Sequence, residues 1–292
     1  MSNHLPTILI IGNCIVDQVS IIKQFPSEDS EFRALDRIQQ AGGNACNSAV
    51  ILSKLGHSVE LVAQLADDVE GEWLKRYLLA LGIGCGYCAL LPGSKTPLSS
   101  IWLNRSNGSR TICHYRDLPE LSLAHLKQIP LQKHHWLHCE GRNVEVLRQY
   151  LPRIRKQAIA VSLEIEKPRS GIEDLLPFVD VAIISSHYLG ELQLSAEQCL
   201  QRFYRINPHL RIVCTLGERG LLASDAGAEP VQIEAEVVSQ VVDSVGAGDC
   251  FIAGLIHQLS QQFPFVQALT FANRLAASKV QQQGMNFEIG DL

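Results

Sequence analysis

The sequence predicts an α/β fold in which helices cover both faces of a mostly parallel sheet. Short, continuous apolar runs of strand length alternate with longer runs in which apolar residues recur at helical spacing. Strands that are apolar on both sides are typical of parallel sheets buried between two layers of helices. The 292 residues suffice for one large domain, and no repeat or low-complexity linker divides them. We therefore expect residues 1–292 to form a single domain.

Six apolar runs account for the predicted strands of the main sheet. Each has strand length, and the first ends at Gly12, a residue type that interrupts regular structure. The runs are Leu9–Ile11, Ser58–Ala63, His135–Cys139, Ala158–Leu163, Val179–Ser185 and Arg211–Leu216.

Helices are predicted between and after these runs. Asn44 is a residue type favoured as an N-cap and precedes a helical run that stops before Gly56. Ser195 and Gln198 have the spacing of a capping box. The other helical runs are Glu70–Leu81, Val144–Lys156, Ser195–Ile206, Gly248–Gln262 and Phe265–Gln283.

Two stretches, Asp17–Gln40 and Thr96–Tyr115, interrupt this alternation because they contain strand-like runs with little helical pattern between them. In the second stretch, Asn107-Gly108 separates two such runs and predicts a β-hairpin. Both stretches are too short to be independent domains. We expect two insertions, at about 13–40 and 96–117, to form one small sheet at the edge of the main layer.

Composition and charge exclude several classes of protein. Apolar residues make up 46% of the chain and charged residues 19%, which excludes extensive disorder. Lys and Arg number 25 against 30 Asp and Glu, and the lack of a basic tract argues against binding to nucleic acid. No apolar run reaches the roughly 18 residues of a membrane span, and the first residues do not resemble a signal peptide. With nine scattered cysteines, which are typical of reduced thiols, we expect a cytoplasmic protein that does not enter a membrane.

The segment Val242–Phe251 carries the strongest chemical signal. Gly246-Ala247-Gly248 precedes a predicted helix, and these small residues let successive backbone N–H groups point toward one negative charge. The carboxylate of Asp249, which follows, could take a proton from a substrate hydroxyl while the amides hold a phosphoryl group in transfer. The alternative interpretation is a tight glycine turn with an acidic helix cap.

A second segment contains two adjacent glycines and two asparagines. Gly42 and Gly43 allow close approach of the backbone, and Asn44 and Asn47 project from one helical turn as neutral donors and acceptors that suit sugar hydroxyls. Asp17 supplies a carboxylate that could accept hydrogen bonds from neighbouring hydroxyls. The alternative for Asn44 is a purely structural N-cap.

Other candidate motifs are weaker. His134, His138 and Cys139 lie on one predicted strand, but alternate residues face opposite sides and no other cluster completes a metal site. Cys85-x-x-Cys88 has no second cysteine pair. There is no Walker A motif, and no glycine fingerprint follows the first strand, which disfavours a dehydrogenase. Phosphate binding is therefore assigned to the Gly-Ala-Gly turn.

The two segments resemble the paired signatures of the PfkB (ribokinase-like) carbohydrate kinases. These signatures are Gly-Gly-Asn-x-x-Asn and, further along the chain, Asp-Thr-x-Gly-Ala-Gly-Asp, which correspond to 42–47 and 243–249 here. The resemblance is strongest to the ketohexokinase branch, whose members phosphorylate fructose at O1, and it extends from Ile8 to about Ile289. The segments that carry this narrower resemblance are 25–33, 106–112, 138–143 and 161–169. It implies a three-layer α/β/α ribokinase-like domain with a small β-sheet lid.

The resemblance also implies a role for each matched residue. It makes Asp249 the catalytic base, and it assigns the anion hole to the amides of Gly246, Ala247 and Gly248. It assigns sugar binding to Asp17, Gly43, Asn44 and Asn47, and nucleotide binding to Thr215, Gly217, Gly220 and Asn273. Arg110 would approach the transferred phosphate from the lid. In a homodimer joined through the lids, Asp29 would reach the sugar site of the other subunit.

The sequence departs from the family pattern at four positions. Ser244 stands where the pattern has Thr, and Cys250 stands where Thr is common, so both positions keep small side chains. Ser185 and Tyr188 occupy the places of an Asn-x-x-Glu motif that helps to position metal and phosphate in many relatives. Ketohexokinases lack that motif too, and the metal ligands therefore stay unassigned.

The expected activity is transfer of the γ-phosphate of ATP to a primary hydroxyl of a ketose, with fructose as the leading substrate. The implied cofactors are ATP and Mg²⁺. Potassium activation, which is known in the family, would involve the loop around Asp243 and Val245. The alternatives are a family kinase for another sugar or a nucleoside, and a catalytically silent sugar-binding sensor.

Overall fold

The computed structural model describes residues 5–285 and 287–290. Most strands are short, between three and eight residues. In chain order they are β1 (Ile8–Ile11), β2 (Ile15–Ile22), β3 (Asp36–Gly42), β4 (Val59–Val62), β5 (Gln64–Ala66), β6 (Ala89–Leu91), β7 (Leu98–Asn104), β8 (Arg110–Tyr115), β9 (Trp136–Glu140), β10 (Ala160–Ile165), β11 (Val181–Ile184), β12 (Arg211–Thr215), β13 (Leu221–Asp225) and β14 (Val231–Ile233).

The α-helices connect most of the strands of the main sheet and end the chain. They are α1 (Asn44–Lys54), α2 (Val69–Ala80), α3 (Leu123–Leu126), α4 (Val144–Ile154), α5 (Ser186–Glu191), α6 (Ala196–Ile206), α7 (Ala247–Ser260) and α8 (Phe265–Val280), with 3₁₀ helices at Ile172–Phe178 and Gly217–Arg219. Across residues 5–285 and 287–290, no helix has both the length and the apolar character that crossing a lipid bilayer requires.

Eight strands form the main sheet in the order β14-β13-β12-β11-β10-β9-β1-β4. The strands from β4 across to β12 are parallel, and β13 and β14 extend one edge in antiparallel fashion. Parallel strands place their carboxyl ends at one edge of a sheet, where ligands of open α/β folds bind. The predicted, mostly parallel sheet is confirmed.

Two apolar cores lie on opposite faces of the main sheet. In β1, Ile8 and Ile10 pack into the core that contains α1, α2, α7 and α8. Leu9 and Ile11 pack into the other core, with α4, α5 and α6. Successive side chains of a strand point to opposite faces, so a continuous apolar run is buried on both sides. The predicted three-layer α/β/α arrangement is confirmed.

The second sheet has four strands in the order β3-β2-β7-β8. Its central strands β2 and β7 are parallel, and the outer strands pair antiparallel to them. The hairpin of β7 and β8 turns around Asn107-Gly108. This small sheet is joined closely to the main layer, because β2 follows β1 after three residues and Gly43 alone separates β3 from α1.

Several helix boundaries differ from the predicted ones, and α4 ends at Ile154, before the predicted Lys156. α7 and α8 end at Ser260 and Val280, before the predicted Gln262 and Gln283. The prediction that Asn44 is an N-cap is wrong: Gly43 is the N-cap of α1 and Asn44 is its first residue, because the Asn44 side chain binds elsewhere. The capping box of α6 is confirmed by reciprocal hydrogen bonds of Ser195 and Gln198.

Close packing of α7 on α8 gives a stability prediction. A Cβ at Gly254 would lie 3.0 Å from Ala272 Cα and 3.1 Å from Leu275 Cδ2. Gly254→Val should therefore force the two helices apart and lower the free energy of unfolding by about 1–3 kcal/mol. The control is Gly190→Ala in α5, where a Cβ would meet no atom within 4 Å and where we expect a gain of about 0.5–1 kcal/mol. Denaturant unfolding measures both free energies of unfolding. A Gly254→Val variant as stable as the parent would contradict this account of the packing.

Candidate active site

Asp249 lies in the first turn of α7, and only 7% of its surface is exposed. Gly246, the N-cap of this helix, has a φ of 81°, in the left-handed region that glycine adopts without strain. A Cβ at Gly246 would also collide with the sulfur of Met285. The turn therefore requires glycine for two reasons, and it places the Asp249 carboxylate inside the protein.

The first amides of α7 are placed where the sequence predicts an anion hole. The first N–H groups of an α-helix have no intrahelical acceptor. The Ala247 N–H makes only a long contact of 3.4 Å with the Ser244 carbonyl oxygen. Gly248 has open space on the side where a Cβ would project. The turn thus has room for a substrate group, and the helix dipole favours a negative one.

One hydrogen bond joins the two sequence motifs. Asn47 on α1 donates from Nδ2 to Asp249 Oδ2 at 2.7 Å, across 202 positions of the chain. Both side chains are buried. In the part of the chain that the structure describes, Asn47 Oδ1 accepts no hydrogen bond. Asn47 therefore orients the carboxylate, while its own Oδ1 atom receives no donor from the described residues.

The Asp249 carboxyl group titrates far above its usual range. Burial raises the pKa of Asp249 to about 7, and the hydrogen bond from Asn47 partly offsets this rise. Repulsion from Glu140, Glu166 and Asp17 raises the pKa further. A carboxyl group that titrates near neutral pH is well matched to accept a proton from a hydroxyl during a reaction.

Two buried glutamates, which the sequence interpretation did not assign, lie within electrostatic reach of this pair. Glu140 ends β9 and Glu164 is its direct neighbour on β10. Asn44 donates from Nδ2 to Glu164 Oε1 at 2.7 Å, and the backbone N–H of Asn13 donates to Glu140 Oε2 at 2.7 Å. A sequence signal did exist, because each glutamate is a single charge near the carboxyl end of an apolar strand.

These acids place several ionisable carboxyl groups close together at the site. Burial raises the pKa of Glu164 well above its usual range, and repulsion from Asp249 and Glu140 raises it further. Its Oε2 atom is buried and has no hydrogen-bond partner within residues 5–285 and 287–290. The cluster therefore suits a ligand that brings hydroxyl donors or a cation.

Asp17 contributes a further buried carboxylate, from β2 of the small sheet. Burial raises the pKa of Asp17 to about 6, and a hydrogen bond with Ser99 partly offsets the rise. A Cβ at Gly42 would overlap the Asp17 carboxylate, so glycine at this position gives the carboxylate its space. Gly43 has a φ of 97° and a Cβ there would lie 2.7 Å from the Asn13 carbonyl oxygen. The glycine pair thus serves close packing around Asp17 and the start of α1.

The small sheet also contacts the glycine turn through Arg110. Its Nη1 atom donates to Ser244 Oγ at 3.0 Å, which joins β8 to the segment before α7. Asp29 lies in the loop between β2 and β3, is exposed and has a φ of 57°. Among the described hydrogen bonds, none joins Asp29 to the cluster around Asp249.

The four predicted nucleotide-binding residues lie around β12, β13 and α8. Thr215 ends β12 and donates from Oγ1 to the Ile184 carbonyl oxygen at 3.2 Å. Gly217 begins a 3₁₀ turn with a φ of 62°, and Gly220 ends it with a φ of 76°. Asn273 on α8 donates from Nδ2 to the Glu234 carbonyl oxygen at 2.8 Å. Within the described ranges, none of the four is hydrogen-bonded to the Asp249 cluster, so they form a separate group.

Comparison with known proteins identifies the class of this chain. Residues 6–289 match the family described as pfkB family carbohydrate kinase. The chain belongs to this family. Membership confirms the predicted class of enzyme, an ATP-dependent phosphotransferase that acts on a sugar hydroxyl.

Similar proteins include several sugar kinases. Ketohexokinase of Mus musculus is 31% identical over 290 residues, which cover 96% of this chain and 97% of that protein. Fructokinase-1 of Zea mays is 25% identical and covers 85% of this chain and 84% of its own length. A structure of Arabidopsis thaliana ribokinase complexed with ribose and ATP has a TM-score of 0.78 at 22% identity, covering 96% of this chain and 94% of that one. At that identity the structural likeness confirms the ribokinase-like fold.

The pfkB-family motif that is missing from this chain is replaced by residues with partners inside the protein. Ser185 donates from Oγ to the Glu166 carbonyl oxygen at 2.7 Å, and Tyr188 donates to Glu173 Oε1 at 3.1 Å. Across the described ranges, no three His, Cys, Asp or Glu side chains converge on a metal site. In phosphoryl transfer, Mg²⁺ is held largely by substrate phosphates with one or two carboxylates. The unpartnered oxygen of Glu164 fits that limited requirement.

The histidine-containing strand and the Cys85-x-x-Cys88 pair, which the sequence offers as alternative sites, have structural explanations. Ser162 Oγ accepts a hydrogen bond from Trp136 Nε1 at 2.8 Å and lies 2.9 Å from His138 Nδ1, inside the core. Cys85 and Cys88 are free thiols, without a disulfide. Neither feature contributes to the cluster around Asp249.

The raised pKa of Asp249 predicts that this residue destabilises the fold above neutral pH. A carboxyl whose folded pKa exceeds its unfolded value favours folding when protonated, and the penalty for ionisation grows between about pH 4 and pH 7. Asp249→Asn should therefore unfold at a higher temperature than the parent at pH 8, by several degrees if the difference is a few kcal/mol, and by less at pH 5.

The measurement is thermal unfolding at both pH values. The control, Glu229→Gln, changes an exposed carboxylate in the loop before β14 and should leave the difference from the parent independent of pH. A pH-independent difference for Asp249→Asn as well would contradict the assignment of a raised pKa.

Proposed function

We propose that this chain is an ATP-dependent kinase that phosphorylates fructose at a primary hydroxyl and forms fructose 1-phosphate. The observation that carries the proposal is the hydrogen bond between Asn47 and Asp249. It places a neutral amide suited to sugar hydroxyls beside a buried carboxylate with a pKa of about 7, at the start of a helix that favours negative charge.

In the proposed reaction, Asp249 acts as the general base. Its Oδ2 atom is held by Asn47, which leaves Oδ1 to accept the proton of the sugar hydroxyl. The hydroxyl oxygen forms a bond to the γ-phosphorus as the bond from that phosphorus to the bridging oxygen of ATP breaks, and ADP leaves. The amides of Gly246, Ala247 and Gly248 receive the negative charge of the transferred group. Arg110, which donates to Ser244, is a charged donor that the small sheet brings to this turn.

The sugar would lie between the small sheet and the start of α1. Asp17 and Asn47 offer buried acceptors and donors, Asn44 is half-buried beside them, and Gly43 lets the sugar approach the backbone. The Asn44 amide is engaged by Glu164, which fixes its orientation before substrate arrives. Preorganised hydrogen-bonding groups lose less entropy on binding, which supports this assignment.

The nucleotide would occupy the second group of residues, Thr215, Gly217, Gly220 and Asn273. Glycines with positive φ make the turn after β12 compact enough for a planar base or ribose to lie against it. When bound with ATP, Mg²⁺ would neutralise phosphate charge. Glu164 would face this ion from the protein side, because it has a free buried oxygen.

The small sheet is proposed to act as a lid and as a dimer contact. Its exposed side chains include Phe32 and Trp102, whose rings meet edge to face at 5.3 Å, and Ile112 on β8. Apolar side chains exposed on a sheet are typical of an interaction surface. In such a dimer the exposed Asp29 would reach the sugar site of the other subunit.

A cytoplasmic location is supported by nine cysteines that are all free thiols.

A ketose is favoured over ribose or a nucleoside because the ketohexokinase of Mus musculus shares 31% identity with the chain, above the 25% of both the fructokinase-1 of Zea mays and the deoxyribokinase of Salmonella typhi. A catalytically silent sensor is disfavoured because Asp249 and the glycine turn are both intact. A coupled ADP-release assay with fructose, other ketoses, ribose and nucleosides distinguishes these alternatives. Fructose should give the highest kcat/KM, and ³¹P NMR should identify the 1-phosphate.

Removal of the proposed base gives the most direct kinetic prediction. Asp249→Asn keeps the shape of the side chain but cannot accept the hydroxyl proton, so kcat should fall by about 10²–10⁴-fold. Fructose binding, measured by calorimetry, should change little. The exposed-carboxylate variant Glu229→Gln serves as the control with parental turnover. Near-parental turnover of Asp249→Asn would rule out the base assignment.

The pH dependence of kcat gives an independent prediction. Because the base must be ionised, kcat at saturating fructose should decline below about pH 7. Asn47→Leu removes a hydrogen bond that lowers the pKa of Asp249. The fall of kcat on the acid side of its pH profile should therefore occur at higher pH in this variant. Ser48→Ala is the matched control, since Ser48 donates to the main-chain oxygen of Asp249 and not to its carboxylate. Its pH profile of kcat should match that of the parent. Identical pH profiles of kcat in the parent and both variants would contradict the role of Asn47.

A further inference from the structure

A fully buried lysine lies next to the glycine turn. Lys279 is in the last turn of α8, and its side chain has an exposed fraction of 0%. Its Nζ atom donates to the Asp243 carbonyl oxygen at 2.9 Å, to Asp243 Oδ2 at 3.1 Å and to the Gln282 carbonyl oxygen at 3.2 Å. The ammonium group therefore uses all three of its protons on oxygen atoms.

The segment that Lys279 holds is the one that leads into the anion hole. Asp243 Oδ1 accepts from the Val245 N–H at 2.9 Å, and Asp243 Oδ2 accepts from the Gly284 N–H at 3.0 Å. The N–H groups of Val242 and Asp243 donate to the carbonyl oxygen of Val280. Asp243 is thus the junction between the glycine turn and the segment that follows α8, and the ammonium is the cation at that junction.

Burying an ammonium group carries a large unfavourable desolvation free energy, which a purely structural contact does not require. Desolvation of a charged group is unfavourable by several kcal/mol unless paired and hydrogen-bonded oxygens compensate. At this position the compensation comes from one carboxylate and two carbonyls, a set of oxygen ligands of the kind that hard cations bind. The resemblance to the family implies a potassium ion at the loop around Asp243. The residues present do not fit that ion, because the ammonium already occupies the oxygens of Asp243 that face the junction.

We propose that Lys279 is a positioning residue that acts as a built-in monovalent cation and makes this enzyme independent of added potassium. It contacts neither substrate nor reacting atoms; it fixes Asp243 and so sets the geometry of the amides at Gly246–Gly248. The proposal rests on the kinase function above. Loss of the ammonium leaves the half-buried Asp243 carboxylate without its cation, which displaces the turn and slows phosphoryl transfer.

The experiment compares the parent enzyme, Lys279→Ala and Lys279→Met in a potassium-free tetramethylammonium buffer, with K⁺ or ethylammonium added. We expect parental kcat to change by less than about twofold on adding K⁺. Lys279→Ala should lose about 10- to 100-fold in kcat, the range that a small displacement of catalytic groups produces, with little change in KM for fructose. K⁺ or ethylammonium should restore part of that loss in Lys279→Ala. Lys279→Met should not be rescued, because its side chain fills the space.

The matched control is Lys54→Met. Lys54 also donates to a backbone carbonyl near the end of the chain, that of Phe287 at 2.6 Å, but among the described hydrogen bonds none joins it to the Asp243 segment. Its kcat should stay parental in every salt. A melting-temperature series gives a readout apart from activity: K⁺ should raise the melting temperature of Lys279→Ala and leave that of the parent unchanged.

Specific results would overturn the proposal. Activation of the parent by K⁺ by more than about fivefold, or a K⁺-dependent rise in its melting temperature, would mean that an ion is still needed beside Lys279. If Lys279→Ala and Lys279→Met lose kcat equally, and neither cation restores kcat in Lys279→Ala, the lysine has only a packing role. If no sugar is phosphorylated in any salt, the proposed kinase function fails, while the melting temperatures still decide whether lysine replaces the ion.

Discussion

The burial of a carboxylate at the start of a helix is the constraint on which the site depends. Asp249 can have a pKa of about 7 only if water is kept away from it, and it can remain in place only if a donor satisfies one of its oxygens. α1 supplies that donor through Asn47, and Gly246 supplies the backbone conformation that turns the carboxylate inward. The packing of α7 between α1 and α8 therefore serves both the core and the chemistry.

The topology of the sheet explains why so many acids meet at this place. β9 and β10 are neighbours in register, so Glu140 and Glu164 lie side by side at their carboxyl ends. Burial raises the pKa of both carboxyl groups, and repulsion from Asp249 and Glu140 raises the pKa of Glu164 further. The repulsion is relieved when a ligand supplies hydroxyl protons or positive charge. The cluster therefore suits a polar ligand that brings hydroxyl donors or a cation.

Much of the fold and part of the site could be predicted from the sequence, for a physical reason. Strands, helices and the glycine turn depend on local patterns, and the two motifs were recognisable as segments. The partners of these segments depend on which strands are neighbours and which helices pack together. Asn44 was expected to cap its own helix, but Glu164 on a strand 120 positions away takes its amide. Lys279 gave no local signal either, because a lysine in the last turn of a helix is ordinary until Asp243 is found against it.

The glycine turn is held from two sides by contacts of different character. Arg110 reaches Ser244 from the small sheet, through an exposed hydrogen bond that solvent can replace with little loss of free energy. Lys279 holds Asp243 from within the core, where loss of a partner would leave a buried charge unpaired. The inner contact therefore holds the glycine turn more firmly than the outer contact does. If the small sheet acts as the proposed lid, this asymmetry lets it open and close, because only the outer contact can change without disturbing the carboxylate.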